Sequence, residues 1–518
     1  MAKKYIIVTG GVLSGIGKGV VSASMGRLMK ESGIKINSLK IDPYLNVDAG
    51  TMNPNQHGEV FVTDDGYEAD LDLGHYERFL GIDMKRENNL TAGQVFSSVI
   101  SKERDGKFLG GTVQMVPHVT NEIKERIESI DTELLLIEIG GTVGDIEGEI
   151  FFEAIRQLSN EKGRENFMFV HVTFVPFLRV TNEFKTKPTQ QSVQQLRRIG
   201  IHPDMIVIRT EKEIDYSSLE KVALFGGVKN EYVVNLPDLS NIYEVPEVLN
   251  KMNIQDLVAK RLDLKIQNNI KWSCPKTFKN LKIAMIGKYL GTDDAYKSIL
   301  ESIFLTGVKK PEIVDSEMLE ELDDEGLKSV LGKYEGIIIP GGFGKRGIEG
   351  KIRALKYARE NNVPTLGICL GMQLMVIEYA RHVKNLEGAN STEFDPETKY
   401  PIIDIMKEQK KVLKMGGTMR LGAQKTEVLK GTKLYEIYKT TEIYERHRHR
   451  YEVNDKQFGD IFDEMIVSAR TEFVEAVEMK ENDFYIGIQY HPELKSKVGA
   501  PNPLFSAFTE AIEKRRKK

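Results

Sequence analysis

Pro364-Thr365-Leu366-Gly367-Ile368-Cys369-Leu370-Gly371 is an apolar run that ends on a cysteine with a glycine two residues to either side, and a helical pattern follows over 372–379. It reads as a buried strand turning sharply into a helix, where glycine permits the turn and the helix N-terminus favours a thiolate. A lone cysteine is more often an inert core residue. The flanking glycines, with His491-Pro492-Glu493 later in the chain, argue for a nucleophile instead. His491 can take or hold the thiol proton and Glu493 can orient the imidazole, giving a Cys-His-Glu triad.

Working outward, Pro340-Gly341-Gly342-Phe343-Gly344 follows another apolar run, and the Gly342 and Leu370 N–H groups are the expected oxyanion hole. Glu445-Arg446-His447-Arg448-His449-Arg450 has histidines enough for a metal, but its interleaved arginines repel cations. A carboxylate-binding arginine is the better reading. Apolar runs at 283–286, 337–339, 365–368 and 485–488 predict an α/β domain around the thiol. In the first half, runs at 5–8, 36–41, 134–139, 168–175 and 205–208 alternate with amphipathic stretches. That spacing predicts buried parallel strands joined by helices.

The expected fold is therefore α/β in both halves. A chain of 518 residues exceeds what one core fills. The polar stretch 261–282 carries Asn268-Asn269, Lys271 and Cys274-Pro275, so we place domains at 1–265 and 282–518 with a linker at 266–281. Residues 385–414 read as a polar surface excursion.

Tyr5-Ile6-Ile7-Val8 runs into Thr9-Gly10-Gly11, and Lys18 opens a helical pattern. Glycines there can turn backbone N–H groups toward phosphate at a helix N-terminus. The stretch departs from a strict Walker A loop, with Val12 and Gly19 where glycine and Ser or Thr would stand; Ser14 is a candidate hydroxyl. Lys40 follows the second predicted strand and can bring an ammonium to the phosphates. Glu68, Asp70 and Asp72 alternate, so a strand would turn all three carboxylates to one side. Glu138 ends an apolar strand before Gly140-Gly141, where open α/β sheets bind ligands. Mg²⁺ on a triphosphate needs one or two protein carboxylates, which Asp72 and Glu138 can provide. Asp145-Ile146-Glu147 and Lys185-Thr186-Lys187-Pro188-Thr189-Gln190 add hydrogen-bonding groups suited to a base, a ribose or further phosphates.

Composition narrows the class. Net charge is only −4, and hydrophobic and charged contents are 41% and 29%, an ordinary globular composition without a basic excess for nucleic acid. The basic ending Lys514-Arg515-Arg516-Lys517-Lys518 reads as a solvated tail. Two cysteines, Cys274 and Cys369, make no disulfide framework and suit a reducing cytoplasm. No signal-peptide core or membrane-length apolar run is present, so a cytoplasmic protein with no membrane partner is expected.

Over its whole length the chain resembles the cytidine triphosphate synthase family. The carrying stretches are 8–19, 40–48, 56–63, 70–78, 138–147, 185–190, 367–373 and 446–452. The resemblance implies an N-terminal P-loop-like amidoligase domain with a parallel sheet and a C-terminal class I glutamine amidotransferase domain. It implies amination of UTP to CTP, with ATP phosphorylating O4 and ammonia from glutamine displacing phosphate at C4. ATP would meet Gly15, Ile16, Gly17, Lys18, Gly19, Val20, Lys40, Asp72 and Asp238; Asp72 and Glu138 would bind Mg²⁺. UTP, or CTP as feedback inhibitor, would meet Ser14, Asp145, Ile146, Glu147, Lys185, Thr186, Lys187, Pro188, Thr189, Gln190 and Lys221. Glutamine would meet Gly342, Leu370, Gly371, Met372, Gln373, Glu393 for its amine and Arg450 for its carboxylate. Catalysis would fall to Cys369, His491 and Glu493, with Pro54, His57 and Val60 beside an ammonia path between the domains. GTP activation, a homotetramer and filaments are further implications. Two departures from the family pattern are Gly15, where members often have Ser, and a shortened segment at 407–415. A related cobyrinate-type amidase and a catalytically silent filament scaffold are the competing readings. The uridine-side motifs argue against the first and the intact triad against the second.

Overall fold

The computed structural model describes residues 2–53, 57–267, 270–290, 293–405 and 419–518. Pro54, Gln56, Asn268, Asn269, the shortened segment 407–415 and the following Gly416-Gly417 lie outside the described residues. The chain forms two compact units, one of residues 1–49 and 72–274 and the other of residues 50–71 and 275–518.

The first unit is built on a seven-stranded sheet of β1 (Lys4–Gly10), β2 (Ile36–Asp42), β3 (Asn89–Thr91), β4 (Leu134–Ile139), β5 (Phe167–Phe174), β6 (Met205–Thr210) and β7 (Val233–Pro237) in the order β7-β6-β5-β1-β4-β2-β3. All its pairings are parallel. Helices cover both faces, so strands such as β4 are buried at every position and read as continuous apolar runs, not as an alternation. The chain leaves β1 toward β2 on one side and later places β5 on the other. That reversal opens a crevice at the C-terminal end of β1, where α1 (Lys18–Glu31) begins. Gly17, at φ 88°, supplies the left-handed turn into it. Of the predicted linker, Trp272 belongs to this unit: it stacks on Phe79 at 5.7 Å between ring centroids and donates from Nε1 to the Tyr243 carbonyl at 2.9 Å.

The predicted strand through Glu68, Asp70 and Asp72 is corrected. Only Glu68–Ala69 is extended, paired with Phe61–Val62 in the second unit. Asp72 opens α2 (Asp72–Leu80) in the first, where a carboxylate meets the positive end of the helix dipole. The three acids therefore do not share a face.

The second unit holds a nine-stranded sheet of β8 (Ile283–Gly287), β9 (Glu312–Asp315), β10 (Gly336–Ile339), β11 (Thr365–Ile368), β12 (Arg420–Val428), β13 (Glu442–His449), β14 (Met465–Arg470), β15 (Val474–Met479) and β16 (Tyr485–Ile488). Its order is β9-β8-β10-β11-β16-β15-β14-β12-β13. From β9 to β16 the strands are parallel, and beyond β16 they are antiparallel. Within the expected excursion at 385–414, the described residues include strands. Asn390–Ser391 and Pro401–Ile405 pair with each other, and the latter with Tyr451–Val453, because Ile402 and Ile403 are fully buried in the core.

Candidate active site

Cys369 stands between β11 and helix α4 (Leu370–His382). Its φ of 53° and ψ of −103° form a strained elbow that lifts the side chain off the sheet edge. Its N–H donates to the Ile488 carbonyl at 2.7 Å, fixing the elbow to β16. Gly371 is obligatory for a different reason. A Cβ there would stand 2.2 Å from the Ile339 carbonyl oxygen, so the helix start lies directly against the end of β10.

His491, just beyond β16, has its Nδ1 2.7 Å from Glu493 Oε1. Nε2 has no conventional hydrogen bond among the described residues. The ring edge and Cys369 flank the same glycine, for a Cβ on Gly341 would meet His491 Cε1 at 3.1 Å and Cys369 Cβ at 3.7 Å. Burial opposes a charge on the imidazole, but Glu493 and Cys369 outweigh it and hold His491 up at about 10. A protonated imidazole is the state this environment favours. Loose nucleophile–base contacts are usual before substrate binds.

The structure brings together most of the predicted glutamine-side residues. A Cβ on Gly342 would sit 3.6 Å from Leu370 Cδ2, so the two expected oxyanion-hole residues are neighbours. Gly342 borders a cavity of about 110 Å³ lined also by Gly341, Phe343, Cys369, His491, Glu59 and Val60. Glu393 accepts from the Gly344 N–H at 2.8 Å. Burial raises its pKa against the pull of Lys288 and Arg450, which places Arg450 on the same side. Met372 is fully buried in the core. The Gln373 amide donates to the Tyr451 carbonyl at 2.9 Å and to Gln489 Oε1 at 3.2 Å, and Gln489 Nε2 in turn lies 3.6 Å from Cys369 Sγ. His57 is exposed.

In the first unit the predicted phosphate loop lies beside a buried charge cluster. Lys18 Nζ donates to the Gly141 carbonyl at 2.7 Å, and burial lowers its pKa while Glu138 opposes. Lys40 Nζ pairs with Asp72, and with Glu138 at 3.0 Å. Burial opposes its charge, yet Asp72, Glu138 and Asp42 hold it well above the usual lysine value. Asp72 itself is pushed up by burial and pulled further down by Lys40 and His75, ending low. The Tyr76 hydroxyl donates to Glu138. Both carboxylates reach the start of α1: a Cβ on Gly19 would lie 3.3 Å from Glu138 Oε2 and 3.6 Å from Asp72 Oδ1.

Of the uridine-side motifs, Asp145 accepts from the Thr142 N–H and hydroxyl at 2.6 and 2.8 Å, leaving Ile146 84% exposed. Ile146 and Glu147 border a cavity of about 430 Å³ with Pro43, Leu45 and Met115. Helix α3 (Lys187–Arg198) starts after Thr186 with Pro188 in its first turn. Thr189 Oγ1 sits 3.1 Å from Thr173 Oγ1, Gln190 donates to Thr186 Oγ1 at 3.1 Å, and Lys185 pairs with Glu183. Ser14 and Lys221 are exposed. Asp238 is held by Arg209 at 2.7 Å.

Two family models match the sequence. The model for the CTP synthase N-terminus matches residues 4–264, and that for class-I glutamine amidotransferase matches residues 292–511. The CTP synthase of Thermotoga maritima is 64% identical over 520 residues, covering 99% of each chain. The chain belongs to the CTP synthase family. The CTP synthases of Thermosipho africanus and Aquifex aeolicus are 64% and 50% identical, again with 99% of each chain covered. The solved glutaminase domain of Trypanosoma brucei CTPS with bound acivicin is 38% identical, covers 45% of this chain and 94% of its own, and has a TM-score of 0.42. Among the described residues no helix is long and apolar enough to cross a membrane.

Several residues stand at the sites without having been individually singled out in the sequence. Lys288, directly after β8, donates from Nζ to the Phe343 carbonyl. Arg448 lies 5.2 Å above the Phe343 ring. Arg209 is near the phosphate loop, since a Cβ on Gly17 would meet its Nε at 4.0 Å. Lys288 and Arg209 share one legible signal: each is a cation at the C-terminal end of a parallel strand, where α/β sheets bind ligands.

Proposed function

We propose that the chain aminates UTP to CTP at the expense of ATP, using ammonia that its own glutaminase half releases from glutamine. One observation carries the reading. A strained Cys369 elbow with its His491–Glu493 pair, and a predicted phosphate loop beside Lys18, Lys40, Asp72 and Glu138, occur in one chain.

In the glutaminase half the Cys369 thiolate attacks the glutamine amide carbon, and the Gly342 and Leu370 N–H groups take the developing oxyanion. His491 gives its proton to the departing nitrogen, releasing ammonia and leaving a glutamyl thioester. It then removes a proton from the water that cleaves the thioester to glutamate and free thiol. Glu393 and Arg450 bind the amino acid's amine and carboxylate. In the synthetase half, O4 of UTP attacks the γ-phosphorus of ATP, and ADP leaves. Ammonia then adds at C4 and phosphate departs, giving CTP. Lys18 and Lys40 stabilise charge on the transferring phosphoryl group. Ser14, Asp145, Ile146, Glu147, Lys185–Gln190 and Lys221 hold UTP, and Arg209 joins Asp238 on the adenosine side.

Mg²⁺ fits the donor set. Among the described residues no three His, Cys, Asp or Glu side chains converge, but a cation on a triphosphate takes only one or two protein carboxylates, and Asp72 and Glu138 supply them. It would neutralise phosphate charge there. CTP acts as feedback inhibitor through the triphosphate groups it shares with UTP, and GTP acts as activator. The unit assembles as a tetramer, with filaments as a higher assembly. Exposed Leu45, Leu109, Met115, Val116 and Ile146 give the first unit apolar surface suited to burial between copies.

The test is CTP formation from UTP, ATP and Mg²⁺ with glutamine or ammonium as donor. Cys369→Ala is expected to abolish only the glutamine-dependent reaction. An unsubstituted chain that makes no CTP from ammonium would sink the reading.

A further inference from the structure

His171, on β5, is fully buried and has no part in the chemistry above, yet it joins three elements that do. Its Nδ1 lies 2.8 Å from Thr9 Oγ1 at the end of β1, and its Nε2 lies 2.7 Å from Ser192 Oγ on α3. Thr9 leads into the phosphate loop, and α3 is the helix whose first turns carry Lys187, Pro188, Thr189 and Gln190. The contact is close: a Cβ on Gly11 would stand 1.5 Å from Ser192 Oγ and 2.8 Å from His171 Nε2. The loop therefore rests directly on the helix, and no other residue fits at Gly11 without moving one of them.

Two further bonds tie the same loop to the other uridine-side segment. The Val143 N–H donates to the Gly10 carbonyl at 2.8 Å, and Lys18 donates to the Gly141 carbonyl at 2.7 Å. Two residues along β5, Thr173 meets Thr189, a second hold on α3 from the same face of the strand. A neutral imidazole presents one donor and one acceptor at opposite ends of a rigid ring. That is what two hydroxyls on separate elements require, and an apolar side chain of the same size would take this partner from Ser192 and leave Thr9 only its long 3.5 Å bond to the Val170 carbonyl. Burial, reinforced by Lys18, lowers the ring's pKa to about 3, so the connector stays neutral.

We propose that His171 is a positioning residue that couples the ATP loop to the UTP-binding helix through Thr9 and Ser192, so that each nucleotide sharpens the binding of the other. The proposal rests on the assignment of UTP to residues 185–190. It predicts a linkage between the two nucleotides, which must be reciprocal if it is a coupling free energy.

The test uses the full chain with ammonium as donor and measures KM for ATP at low and saturating UTP, and the converse. S192A and H171N each cut the link to α3, the first with little volume change and the second because an asparagine amide reaches Thr9 but not Ser192. Both are expected to raise KM for UTP by about 5- to 20-fold, about 1–2 kcal/mol, and to abolish the effect of each nucleotide on the KM of the other. H171Q, whose amide reaches the Nε2 position but not Thr9, is expected to keep the hold on α3, and so a lower KM for UTP than H171N, while still losing the coupling. Coupling that persists in S192A and H171N overturns the proposal, as does a fall in Tm or kcat with both KM values unchanged. An unsubstituted chain that makes no CTP overturns the UTP assignment beneath it, and that result is visible before any variant is made.

Discussion

Replacing Glu493 by glutamine keeps the shape and the hydrogen bond to His491 and removes only a charge. The carboxylate oxygen lies 2.7 Å from Nδ1, and Glu493 is the first of the influences that hold the imidazole up at about 10 against the opposing effect of burial. Two unit charges about 4 Å apart interact by about 4 kcal/mol at an effective dielectric of about 20. Losing about 3–4 kcal/mol from the imidazolium state corresponds to a fall of about 10²- to 10³-fold in glutaminase kcat/KM. Glutamate release and glutamine-dependent CTP formation should fall together by that factor, while ammonium-dependent synthesis stays unchanged. The pH dependence has a definite sign. A histidine raised from 6.5 to about 10 contributes stability that is complete below pH 6.5 and is lost as pH rises through about 10. The Tm gap between the unsubstituted chain and E493Q should thus be widest below pH 6.5 and narrow toward pH 10. An E493Q variant with full glutaminase activity and a Tm gap flat across that window would refute the charge assignment.

Gly371→Ala forces a Cβ to within 2.2 Å of the Ile339 carbonyl oxygen. Overpacking of this kind costs about 1–3 kcal/mol, read as a lower Tm together with lost glutaminase activity, and an unchanged melt would contradict the packing described. Asp64→Asn leaves Arg446, fully buried, without its carboxylate. Breaking a buried pair costs about 3–5 kcal/mol; Asp64 is itself a third exposed, so about 2–3 kcal/mol is expected by urea unfolding. Asp72→Asn should raise the Mg²⁺ concentration for half-maximal ammonium-dependent synthesis by about tenfold, one carboxylate being about half the protein's share of ligands. Hydrolysis of glutamine without nucleotides should not respond to that substitution.

The fold was legible where burial is complete. Each apolar run singled out in the sequence is a strand of one of the two large sheets, because strands covered on both faces leave an uninterrupted signature. The antiparallel strands β12 to β14 and the edge strands β7 and β9 were not, since half-buried alternation is harder to separate from loop, and the fully buried β3 and β15 were missed because Asn89, Thr91, Glu475 and Glu478 interrupt their apolar runs. At the sites, Cys369 with its flanking glycines was readable because the elbow demands those residue types locally. Tyr76 was not, because a single tyrosine carries no local signal; Lys288 and Arg209 had only their place at the C-terminal end of an apolar strand, and their roles are set by what tertiary packing puts opposite them. The alternation of Glu68, Asp70 and Asp72 misled for a related reason. A period of two over five residues also fits a two-residue strand that ends where a helix begins, and only packing distinguishes them.

Residues 445–450 show how one pattern serves two environments. In β13 the side chains alternate: Arg446 pairs with Asp64, and Arg448 with Glu68 at 2.8 Å, both acids from the 50–71 segment of this unit. His447 and His449 are buried on the other face, where they lie 3.0 Å apart beside Glu475 and Glu452. Burial holds both imidazoles well below their usual value. It also drives Glu452 up to about 8, in spite of its pairing with Arg420. With both imidazoles held neutral, the two buried histidines add little positive charge beside the catalytic pair, and Glu493 and Cys369 are the groups that raise His491 against burial. The arginines that would otherwise repel an imidazolium are neutralised on the outer face by Asp64 and Glu68. Glu59 completes the wall, accepting from the Ser298 N–H at 2.9 Å at the start of the helix Lys297–Leu305, while Arg448 and Val60 line the same cavity as the thiol. The electrostatics of the thiol site therefore depend on residues far earlier in the chain than the motif that marks it.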